Sequence, residues 1–90
     1  MMRNVFEGYT SVEDEIMIQF AHYQMEELRM VALSKKTTDK VKCGELLGKA
    51  INYDNLQLGL IKQYMEEVGY DLPLEMILYL ENRYVDTQNN

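Results

Sequence analysis

His22 is the only histidine in the chain. A helix through it would set Glu26 one turn later and Glu15 about two turns earlier. An imidazole between carboxylates is the minimum for acid–base work or for a metal ion. Ferritin-like carboxylate centres need more, a Glu-x-x-His element on each of two helices with a glutamate from each of two others. A single histidine does not meet that requirement. Cys43, the only cysteine, has Lys40 and Lys42 beside it, and cations near a helix start lower a thiol pKa. A nucleophilic cysteine also needs a base, and His22 falls on a different predicted helix. Gly44 and Gly48 sit inside a helical pattern with no Gly-Lys-Ser/Thr after them, so no phosphate loop is encoded. These residues read as a solvated polar strip, a small buried hydrophobe and packing positions. A non-enzyme is expected, with no catalytic residue, no metal site and no cofactor.

Charge carries more information. The net charge is −6, from nine Lys and Arg against fifteen Asp and Glu. That sign opposes broad contact with phosphate backbones and with anionic membranes. The distribution along the chain is uneven. Residues 1–34 hold Arg3 and Arg29 against six carboxylates, residues 50–90 hold Lys62 and Arg83 against seven, and residues 35–49 hold five lysines against Asp39 and Glu45. Two candidate surfaces follow. One is acidic, with Glu13, Asp14 and Glu15 at one end of the first helix, Glu26 and Glu27 farther along it, and Glu66, Glu67 and Asp71 about the end of the third, beside Tyr70. Opposite charge would steer it to a basic partner, and seven tyrosines supply amphipathic anchors. The other is Lys35, Lys36, Lys40, Lys42 and Lys49, which with free amides at the start of the second helix would hold a small anion such as a nucleotide.

The elements that must position these groups are helical. The only proline, Pro73, comes late, and hairpin dipeptides and β-branched runs are missing. Ser11 with Asp14, or Thr10 with Glu13, opens a first helix over about 11–33. Ile16, Phe20, Tyr23, Met30 and Val31 lie on its apolar stripe, and Met17, Ala21, Leu28 and Ala32 widen it. That breadth predicts burial on two sides and assigns the stripe to self-association. A polar loop, 34–40, leads to a second helix over about 39–51. Gly44 and Gly48 share one face of it, which predicts close approach of another backbone. Asn52-Tyr53-Asp54-Asn55 resets the chain, and Asp54 with Gln57 resembles a capping box for a third helix over about 55–68. Gly69 suits a C-terminal cap with Tyr70 folding back, and Asp71 with Pro73 opens a fourth helix over about 73–84. Residues 85–90 should fray. The expectation is one all-α domain, a small four-helix bundle or orthogonal array.

Ninety residues hold one small core. No apolar run approaches a membrane span, and residues 1–10 lack the apolar core of a signal peptide, so a cytoplasmic setting without membrane contact is expected. The best-fitting function is a small acidic protein-binding regulator or inhibitor that occupies a basic surface of a larger protein and self-associates as a dimer or higher homo-oligomer. Its size and charge are similar to those of small inhibitors encoded by phages and of immunity-type proteins. The alternative is a helical oligomer that sequesters a small anionic ligand. A helix-turn-helix reading of the second and third helices, turning at 52–55, has suitable lengths but only Lys62 as a cation on its recognition helix, so nucleic acid is a poor partner.

Overall fold

The computed structural model describes residues 11–89, with side chains described for 11–83. They form three α-helices and no strand. These are α1 (Val12–Lys36), α2 (Lys40–Glu67) and α3 (Leu74–Asn89).

Helix α1 begins as its sequence dictates. The Asp14 amide donates to the Ser11 hydroxyl at 3.1 Å and the Ser11 amide to the Asp14 carboxylate at 3.5 Å, a reciprocal cap. The alternative start at Thr10 lies outside the described residues. The helix runs one turn past the expected end at Leu33. Ser34 supports that extra turn, because its hydroxyl donates to the Val31 carbonyl at 2.6 Å instead of leaving the helix. Lys35 and Lys36 occupy the last turn, where cations suit the negative end of the helix dipole. Only 37–39 remain as a link. Asp39 caps α2 through its carboxylate, which accepts from the Val41 amide at 2.9 Å and the Lys42 amide at 3.3 Å.

The break expected at 52–55 is absent. α2 is continuous for 28 residues, so the second and third predicted helices are one. Asn and Asp cost a helix interior only a few tenths of a kcal/mol each, and burial outweighs that here. Asp54 is held by Tyr79 and Arg83 of α3. Gln57, 0 % exposed, sits in the α1–α2 interface rather than at a cap. The turn that a helix-turn-helix reading needs does not exist in this chain. α2 ends where expected: the Val68 and Gly69 amides both donate to the Tyr64 carbonyl, at 2.8 and 3.0 Å. Gly69 then takes φ +151, a conformation L side chains rarely adopt. Tyr70 does not fold back onto the helix but is 85 % exposed. The Pro73 carbonyl receives the Met76 and Ile77 amides at 3.1 Å, which starts α3 one residue later than expected. The backbone then stays helical to Asn89, past the expected end at Tyr84.

A three-residue link forces α1 and α2 into an antiparallel hairpin. Ile16 and Phe20 of α1, Leu60, Ile61 and Tyr64 of α2, and Met76 and Tyr79 of α3 form the core. All of these lie in the half of the hairpin away from the link. Ile16, Phe20 and Met30 are therefore buried within the chain, and Tyr23 and Val31 are half-buried. The stripe expected to meet a second copy is largely used inside one subunit. The Cα radius of gyration, 15.9 Å, exceeds the roughly 12 Å of a compact chain of this length, and the smallest extent is only 16 Å. The helices form a thin layer.

The glycines also differ from expectation. A Cβ at Gly44, Gly48 or Gly59 would meet nothing within 4 Å, so no backbone among the described residues packs on them. Gly44→Ala and Gly48→Ala should each stabilise the chain by about 0.5–1 kcal/mol in urea unfolding. A loss of stability at either position would show that another backbone does occupy that face.

Candidate functional site

The hairpin sorts charge by its two ends. Glu13, Asp14 and Glu15 start α1, Glu66 and Glu67 end α2 and Asp71 follows it, so antiparallel pairing gathers them at one end. A hydrogen bond across the hairpin ties that juxtaposition: the Tyr64 hydroxyl donates to the Glu13 carboxylate at 2.6 Å. The hydrogen bond to Glu13, burial, and the negative charges of Glu13 and Asp71 together push the Tyr64 phenol up to about 12. Tyr70 projects from the same end. Among the described tyrosine side chains it is the exposed one, while Tyr64 and Tyr79 are buried and Tyr23 and Tyr53 are half-buried with their rings 6.0 Å apart. Tyr9 and the Tyr84 side chain lie outside the described residues. Glu26 and Glu27 do not join this group, because 11–14 residues of helix set them about 17–21 Å along α1. Glu26 pairs with Arg29 at 3.4 Å.

Lys35, Lys36, Lys40 and Lys42 gather at the opposite end, about the 37–39 link, and all four are exposed. Lys49 stands apart, about 13 Å along α2 from Lys40. The amides that would have held an anion are already accepted by Asp39, so the lysines surround a filled cap.

Between the ends lies an open groove of about 610 Å³. Leu28 and Val31 of α1 and Leu47, Ala50 and Ile51 of α2 form its apolar floor, and Tyr79, Asn82 and Arg83 of α3 close one side. Leu28 is 64 % exposed and Ile51 62 %. The groove exists because α3 is anchored at one level. The Tyr79 ring meets Phe20 edge-on at 5.6 Å, and its hydroxyl donates to the Asp54 carbonyl at 3.0 Å and to the Asp54 carboxylate. Arg83 pairs with the same carboxylate and lies 5.7 Å from the Tyr79 ring centre. Burial and the hydrogen bond to Asp54 raise the Tyr79 phenol well above its ordinary value.

Glu27 lines the groove and accepts from Gln57 Nε2 at 2.6 Å, and the same amide nitrogen donates to the Tyr53 carbonyl at 3.2 Å. Both neighbours are acceptors, which fixes the amide orientation and leaves Gln57 Oε1 buried without a protein partner among the described residues. Burial pushes the Glu27 carboxyl above the usual carboxylate range, the Gln57 amide partly opposes this, and Asp54 adds to it.

The candidate chemistry groups are not assembled. Cys43 is half-buried and its thiol points to the Ser34 carbonyl at 3.6 Å. That level is about 18 Å along α1 from His22. Among the described residues no three His, Cys, Asp or Glu side chains converge as metal ligands. No described helix is long and apolar enough to cross a membrane. Sequence reading missed the Asp54–Tyr79–Arg83 cluster and the groove floor. Their faint signals are an i,i+4 Tyr–Arg pair in α3 and apolar pairs at i,i+3 and i,i+4 in α1 and α2.

Comparison with protein-family models, curated proteins and solved structures finds no match to this chain.

Glu27 generates a pH test. Its folded pKa lies above the unfolded value, so its contribution to stability is fully present below the unfolded value and is lost as pH rises through the folded one. The urea midpoint of the wild type should fall relative to that of Glu27→Gln as pH rises from about 4 to about 7. Parallel pH profiles would contradict the burial assigned to this carboxyl.

Proposed function

We propose that the chain is a non-enzymatic protein-binding module, a regulator or inhibitor whose acidic end docks on a basic surface of a larger protein. The observation that carries the reading is the gathering of Glu13, Asp14, Glu15, Glu66, Glu67 and Asp71 at one end of the hairpin around an exposed tyrosine. The Tyr64–Glu13 hydrogen bond ties the two acidic segments together, so the charge is presented on a rigid frame. Such a field speeds encounter with a basic surface and rejects acidic ones. An exposed aromatic ring amid the charge supplies the apolar contact that steering alone lacks. Tyr70 is 85 % exposed and stands outside the described core cluster. The separation of Cys43 from His22 supports the non-enzymatic part of the reading.

Affinity capture on immobilised protein tests it. The wild type should retain a basic protein in stoichiometric amount, released by high salt because the screening length falls from about 8 Å at physiological ionic strength to about 3 Å at 1 M. Reversal at Asp14, Glu15, Glu66 and Glu67 to Lys should abolish retention, and Tyr70→Ala should weaken it about tenfold or more. Retention that survives both changes, or no basic protein retained, would contradict the reading.

A further inference from the structure

The side of the hairpin that carries α3 has two unequal halves. In the acidic half, α3 rises as a ridge, anchored through Met76 and Tyr79. In the basic half no described side chain covers the groove floor, and Leu28, Leu47 and Ile51 are exposed. The ridge is apolar on its outer side as well. Leu74 and Leu78 stand opposite Met76 and Tyr79 on the helical wheel and are exposed, with Ile77 beside them.

We propose that the occupant of the groove is a second copy of this chain, paired face to face and antiparallel about a two-fold axis, with the α3 ridge of each seated on the groove of the other. A two-fold interface uses one patch twice, so a protrusion on that patch must find its recess on the same patch. Here ridge and groove lie end to end along the hairpin, and a half turn exchanges them. Leu74, Ile77 and Leu78 then cover Leu28, Leu47 and Ile51. Charge selects the direction. Antiparallel pairing sets the Lys35, Lys36, Lys40 and Lys42 end of each copy against the Glu66, Glu67 and Asp71 end of the other, whereas parallel pairing would set like charge on like. The pairing also explains why two helices leave an apolar floor open in a chain this thin.

This inference goes beyond the basic-partner reading and is tested without any other protein. Both involve the acidic end, so a bound basic partner and the second copy compete there. Sedimentation equilibrium of the full chain should give a dimer at about 100 µM that weakens with salt. Leu28→Glu and Ile51→Glu change exposed positions, keep the helical circular dichroism, and should each weaken the dimer about tenfold or more by burying a carboxylate. The charge-swapped double variants Lys35→Glu/Lys36→Glu and Glu66→Lys/Glu67→Lys should each dimerise poorly alone and recover association when mixed in equal amounts. A monomer at every concentration overturns the proposal, as would be the case if the groove takes a helix of another protein. A dimer indifferent to glutamate at 28 and 51 also overturns it. If those variants fail to fold, the charge-swapped mixture decides, and a mixture no better than its components rules out the antiparallel pair.

Discussion

Tyr79 of α3 engages both other helices, and the level at which it does so sets the rest of the structure. Its ring rests edge-on against Phe20 of α1 and its hydroxyl donates to Asp54 of α2. A buried phenol must find an acceptor, and leaving one unmade costs about 1–3 kcal/mol. Asp54 offers its carbonyl and its carboxylate, and Arg83, one turn beyond Tyr79, neutralises that carboxylate. The position of the acceptor therefore dictates where α3 crosses the hairpin. Because Asp54 lies at the middle of α2, the described side chains of α3 pack on the acidic half, and no described side chain covers the groove in the other.

One property follows from that constraint. The main core cluster lies in one half of a long hairpin, which leaves an apolar groove of about 610 Å³ beside Arg83. The hairpin itself, through a link of only three residues, separates charge into an acidic end and a basic end. A short link and antiparallel helices suffice for this, because the lysines fall at the turn and the carboxylates at the open end. The two charged ends thus arise from the order of charges along the chain.

Local chemistry was legible where one segment decides its own conformation. The Ser11–Asp14 cap, the start of α2 near Asp39, the stop at Gly69 and the restart at Pro73 all answer to neighbours within a few residues. The all-helical class and the gathering of charge by segment were legible for the same reason. The Asn52-Tyr53-Asp54-Asn55 segment was not, since its turn-favouring residues are outweighed by partners 25 and 29 residues away. Gln57 reads locally as a capping partner of Asp54, yet its amide is buried against Glu27, 30 residues earlier. Gly44 and Gly48 suggest close packing by type alone, while their surroundings are open. Ile16, Phe20 and Met30 were correctly apolar, but periodicity does not say whether a stripe meets its own chain or another copy. In the candidate site, the acidic residues were legible individually; their meeting at one end required the hairpin, and the groove required the level of Tyr79.

The most direct measurement of that level is a set of proton–proton distances from nuclear magnetic resonance on the whole chain. The account predicts cross-peaks between the Tyr79 and Phe20 rings, together with unbroken amide protection from Lys49 to Leu58. Cross-peaks from Tyr79 to Leu28 or Leu47 in place of Phe20, or rapid exchange at Tyr53 to Leu56, would contradict it.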